Sequence, residues 1–171
     1  MVWAVDTVYK ALVPETVYVA SSEVPKASTA FMGPSLAGFR YYRVVVNSAD
    51  LGGPNEPMLT EVGFRVDGVL VGGSTVISSD PISGGDVAGL FNDRSDAGSG
   101  YVKFVAVPWQ VTVDLGVVTG VNELYLSSYD TWFYHVPSSV TVYGSNDVGM
   151  WTPVGSMVFG SAYTSTVIPL N

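Results

Sequence analysis

An all-β fold, an antiparallel sandwich or barrel, is what the 171-residue sequence predicts, on three observations. Runs of β-branched and aromatic residues, several alternating apolar with polar, recur along most of the chain. Turn residues separate these runs at about 8–14-residue intervals, the rhythm of sandwiches and barrels. Helical signal is confined to GDVAGLF (85–91), too short to form a layer.

The elements follow in order. Residues 1–38 carry three prolines and many small residues around one strand candidate, ETVYVAS. Proline cannot donate to a ladder, so this segment reads as an extended arm for anchoring or oligomerisation. The alternative is the first strand and loops of the same domain, which otherwise spans 39–171. RYYRVVVNSA (40–49) is a β-branched and aromatic run ended by DLGGPNEP. In LTEVGFRVDG (59–68), Val62, Phe64 and Val66 share a face. VLVGG and STVISS follow around a glycine pair. YVKFVAVPW (101–109) sets Val102, Phe104 and Ala106 against Tyr101, Lys103, Val105 and Val107. QVTVDLG (110–116) puts Val111, Val113 and Leu115 on one face. VNELYLSSY (121–129) pairs Leu124 with Leu126, SSVTVYGSN (138–146) pairs Val140 with Val142, and WTPVGSMVF and STVIPL close the chain. The glycine pairs at 52–53, 72–73 and 84–85 fit no phosphate-loop pattern and read as turn glycines that need positive φ.

Composition narrows the function. Lys+Arg number 7 against 15 Asp+Glu, a formal net charge of −8. Such a chain gains no counterion release on nucleic acid, so DNA and RNA are not expected partners. No apolar run reaches the ~20 residues of a membrane helix, so no membrane insertion is expected. With 0 cysteines there is no disulfide, thiol nucleophile or thiolate metal site. The start, MVWAVDTVYK, has no signal-peptide pattern, so synthesis in a cytoplasm without secretory export is expected.

Four segments carry a family likeness: RYYRVVVNSAD with MLTEVGFRVDG; GGSTVISSDPISGGDVAGLFNDRSDAGSGY; WQVTVDLG; and VPSSVTVYGSNDVGMWTPV. Together, over about residues 39–156, they resemble the discoidin, or coagulation factor 5/8 type C, family. The resemblance implies an antiparallel jelly-roll β-sandwich of galactose-binding-like type and a role in recognition. The cysteine-free form is similar to domains on bacteriophage tail and fibre proteins. The family's loop Asp-Gly is Asn92-Asp93 here, its loop Trp corresponds to Tyr101, and its S-x-D-G is spread into SNDVG (145–149). Read physically, Asp114 bonds turn amides, Ser145, Asn146 and Asp147 form a turn, and Trp151 packs back on the sandwich.

Candidate chemistry concentrates in two loops. NDRSDAGS (92–99) offers Asn92, Asp93, Asp96 and Ser99 as oxygen donors, the ligand type calcium takes. It is no EF-hand loop, and a polar turn paired through Arg94 is the alternative. In the resembled family this loop often binds Ca2+ with an acidic residue from elsewhere, here Glu61. SSYDTWFYHVPSS (127–139) holds four consecutive ring side chains. Trp132, Tyr134 and His135 with Asp130 combine ring faces and polar groups, as a sugar site needs. A subunit contact and corner packing are the alternatives for the same rings. His135 and Asp130 lack a G-x-S-x-G partner, and Glu123 with Asp130 makes no defined carboxylate pair, so no enzyme is expected. The expectation is a non-catalytic carbohydrate-binding module of a phage tail or fibre. Its partners would be a cell-surface glycan and, through residues 1–38, other virion proteins, in a homo-oligomer, a trimer by preference. A purely structural virion component is the runner-up.

Overall fold

The computed structural model of the protein describes residues 38–49, 58–92, 101–128, 136–159 and 165–171. Its strands are β1 (Phe39–Ala49), β2 (Met58–Leu59), β3 (Glu61–Val66), β4 (Val69–Leu70), β5 (Thr75–Ser79), β6 (Ile82–Gly85), β7 (Val102–Phe104), β8 (Trp109–Thr119), β9 (Glu123–Ser127), β10 (Pro137–Ser145), β11 (Thr152–Val158) and β12 (Ser165–Pro169). A five-stranded sheet runs β11-β10-β1-β8-β5, a four-stranded sheet β12-β9-β3-β4, and a three-stranded sheet β2-β7-β6. The strand pairs are antiparallel. The fold is the antiparallel β-sandwich that the alternation predicts.

One core joins the two larger sheets. Tyr42, Val44, Val46, Val111, Val113, Val140 and Val142 come from the five-stranded sheet, and Val62, Phe64, Leu124, Leu126 and Ile168 from the four-stranded one. Through Tyr42–Val46 of β1 and Val140–Gly144 of β10 every second residue is therefore buried, as the period of two requires. The rings of Tyr42 and Phe64 meet across the layers, centroids 5.0 Å apart. Each buried Val, Leu, Ile or Phe contributes about 1.5–3 kcal/mol relative to exposure. The three-stranded sheet adds Leu59, Val102 and Phe104 to the same core, with Trp109 stacked on Phe104 at 4.0 Å. The predicted helical stretch is a 3-10 turn, Ala88–Phe91, that inserts Leu90 into the core.

Local boundaries differ from the sequence reading in three places. The run 101–109 is not one strand: β7 ends at Phe104, and Trp109 already belongs to β8. The run 110–116 does not stop at Gly116; β8 continues to Thr119 through a bulge opposite Phe39–Tyr41. Gly116 sits there at φ +77, and its amide donates to Asp114 Oδ1 at 2.7 Å. The glycine lets the strand kink without ending. Of the pairs 72–73 and 84–85, only Gly73 and Gly85 have positive φ. The strand candidate in the arm, residues 1–37 and the loop 93–100 lie outside the described residues.

Candidate functional site: a guanidinium and ring surface on the five-stranded sheet

The alternation that buries Tyr42 and Val44 turns Tyr41 and Arg43 to the outer face of β1. Register then selects their neighbours. Arg43 lies between Tyr143 of β10 and Thr112 of β8, and Tyr41 between Ser145 and Asp114. Arg43 donates Nε–H to Thr112 Oγ1 at 3.2 Å. Its guanidinium carbon lies 4.0 Å from the centroid of the Trp151 ring. This is cation–π distance, and the arginine is fixed by both contacts. Thr112, beneath it, is only 2% exposed.

The turn between β10 and β11 explains why Trp151 reaches back. Asp147 Oδ1 accepts from the amides of Gly149 and Met150, at 2.9 and 3.0 Å, and from the Ser145 hydroxyl at 3.2 Å. Val148 takes a left-handed φ of +55 inside this loop. The Trp151 indole N–H donates to Val148 O at 3.1 Å. The turn thereby delivers the ring onto the sheet beside Arg43. The Met150 and Gly149 amides, in that order, hold the Asp147 carboxyl below its usual range.

One row along, Arg40 binds Asp114 in a fork, Nε to Oδ1 and Nη2 to Oδ2, both at 2.8 Å. The bond from Arg40, then the Gly116 amide, keep the Asp114 carboxyl below its usual range. The same pair raises the Arg40 guanidinium pKa. Arg40 also lies 5.0 Å over the Tyr41 ring. Asp114 does bond a turn amide, as its sequence context suggests, and it holds Arg40 as well.

Outward along β10, Thr141 pairs with Ser156 of β11, and Tyr143 with Pro153. Thr141, Pro153, Ser156, Pro169 and Asn171 line a shallow open cleft of about 340 Å³. The outer face thus carries rings, a fixed guanidinium, hydroxyls and a cleft. Such a surface stacks on C–H faces and donates or accepts hydrogen bonds from hydroxyls.

Of the predicted site residues, Asp130, Trp132, Tyr134 and His135 lie outside the described residues, as do Asp93, Asp96 and Ser99. Asn92 ends the 3-10 turn at its C-cap. Glu61 begins β3, buried at 3% exposure. Pairing places β3 at the root of the ring-rich segment and β2 at that of the acidic one. Glu61 is in register with Ser127, which precedes the ring-rich loop, and Leu59 with Val102, which follows the acidic one. The roots of the ring-rich loop are fixed: Ser128 Oγ donates to Met58 O at 3.2 Å, and Val136 is buried. Among the described residues no three acidic or histidine side chains converge to hold a metal. They do not by themselves fit a calcium site. Sequence reading missed Arg43 and gave Trp151 only a packing role. The signal for Arg43 is the period of RYYRVVV, which sets Tyr41 and Arg43 opposite the apolar face.

Compared with protein-family models, with curated proteins and with solved structures, the chain has no significant match.

Proposed function

We propose that the chain is a non-catalytic carbohydrate-recognition module, a galactose-binding-like jelly roll of discoidin type carried on a phage tail or fibre. The observation that carries the recognition reading is the outer surface of the five-stranded sheet. Trp151, Arg43, Tyr41 and Tyr143 are brought there from β1, β10 and the turn after β10, and Trp151 and Arg43 hold each other in place. Rings and donors fixed before a ligand arrives lose little rotamer freedom on binding it. The virion setting rests on the four family-like segments. Binding of this kind is weak per site and gains from several copies on one particle, so a homo-oligomer fits it.

A second reading, a structural virion component, is favoured by one feature. Val117, Val118, Val148 and Met150 are 67, 63, 46 and 77% exposed at the end of the sandwich where Gly38 enters β1. Exposed apolar residues gathered at one end of a domain mark assembly contacts.

The test is binding of the purified chain to candidate host cells and a glycan array, with calcium and with chelator. Recognition predicts saturable binding that a free sugar displaces. Trp151→Ala should abolish it while changing stability by about 1 kcal/mol, as for a half-exposed ligand residue. Loss with Trp132→Ala instead places the ligand on the loop 129–135, and chelator sensitivity implicates residues 92–99. No binding under any condition favours the structural reading.

A further inference from the structure

We propose that Arg43 anchors a subsite for a carboxylate-bearing sugar, a hexuronate-type unit of a polysaccharide, on the outer face of the five-stranded sheet. The inference rests on the recognition reading above and narrows its ligand class.

Three observations carry it. First, Arg43 is built in but not neutralised. Its Nε–H is used on Thr112 and its face on Trp151, while among the described residues no acceptor takes its Nη1 and Nη2 hydrogens. On a chain with 15 Asp+Glu against 7 Lys+Arg, Arg43 is held by a threonine and a ring, with no carboxylate partner among the described residues. The acid nearest in register, Asp114, is committed to Arg40 through both oxygens. Second, the free edge of a guanidinium is a fork that matches a carboxylate with two parallel N–H bonds. One cation meets one monoanion. A phosphate dianion would leave excess negative charge beside Asp114, which is held ionised. Third, the surroundings fit the rest of a sugar. Tyr143 flanks Arg43 across the strand pair, and Tyr41 lies two residues along the same face. Neither phenol is engaged by a hydrogen-bonding partner among the described residues. The cleft beyond Tyr143 presents the Thr141 and Ser156 hydroxyls and Asn171 to a neighbouring sugar unit.

The experiment is calorimetric titration of the full chain with trigalacturonate and with its methyl ester, in which a methyl group caps each carboxylate and removes its charge. The acid should bind about ten- to a hundred-fold more tightly, the worth of a charge-assisted bond. Arg43→Gln should remove that preference, with ester affinity also falling as Trp151 loses its cationic partner, and Arg43→Lys should recover only part of the preference. The acid–ester comparison uses the unaltered protein, so it stands even if a variant does not fold. Equal affinity for acid and ester overturns the proposal, as does full acid preference in Arg43→Gln. Tighter, Arg43-dependent binding of galactose 6-phosphate overturns the carboxylate class. Neutral sugars bound without acid preference overturn it while recognition stands; no sugar bound at all overturns both.

Discussion

Asp147 shows how one side chain can hold a surface together. It caps the turn after β10 through two backbone amides and a hydroxyl, and that turn sets Trp151 over Arg43. These bonds favour the ionised carboxyl, so its pKa in the fold lies below the usual 3.8. Asp114 is shifted in the same direction by Arg40 and the Gly116 amide. The sign follows from linkage. A carboxyl depressed by folding stabilises the protein fully above its unfolded pKa, and that contribution is lost as pH falls through the folded value. Stability should therefore be level at neutral pH and fall below about pH 4. Asp147→Asn keeps an acceptor oxygen but no titrating proton. Its urea midpoint should lie below that of the unaltered protein at pH 7, and the two should converge toward pH 3. Curves that stay parallel over this range would remove Asp147 from the account.

At the scale of elements, the two glycines that end β6 separate requirement from tolerance. Gly85 has φ +93, and a Cβ there would overlap the backbone carbonyl oxygen of Tyr101. That atom belongs to the chain entering β7 and cannot rotate away. Gly84 has room: a Cβ would lie 3.7 Å from the Tyr101 ring, an ordinary contact. Gly85→Ala should cost about 3 kcal/mol or more in chemical denaturation, and Gly84→Ala within about 0.5 kcal/mol. Equal costs would show that strain at β6 is not what the backbone implies. Sequence marks both glycines alike, because a glycine declares freedom without saying whether the fold uses it. The same limit explains β8. Gly116 reads as a terminator, yet with Asp114 on its amide the strand bulges and resumes pairing at Thr119 with Phe39. Faces were more legible than ends. Val62 with Phe64, Leu124 with Leu126 and Val140 with Val142 are buried as their spacing requires, since a period of two needs no knowledge of partners. The Asp67–Gly68 turn, with φ of +51 and +80 at its two residues, closes the β3–β4 hairpin as such a dipeptide should.

At the scale of the molecule, the candidate site was legible only in part. The period of β1 places Arg43 outward, but nothing local says that Trp151, more than a hundred residues later, will cover it; the antiparallel register supplies that. Register also fixes the electrostatic setting, in which the Arg43 guanidinium faces a field made by a net charge of −8. The two act over different distances. The field of the whole chain repels an approaching anion beyond about 10 Å, where salt screens it, while the Arg43 contact acts at hydrogen-bond range and is screened less. Raising ionic strength from about 20 to 300 mM should therefore speed association of an anionic oligosaccharide and weaken the bound contact only modestly. The net affinity should change by less than about threefold, with association and dissociation rates both rising. Line-shape NMR of the Trp151 indole N–H during titration with trigalacturonate separates the two rates. An association rate that falls steeply with salt would mean that local positive potential outweighs the net charge at the approach to the sheet. Further cations would then have to line that approach, and Arg43 would be one member of a basic track, not a solitary anchor.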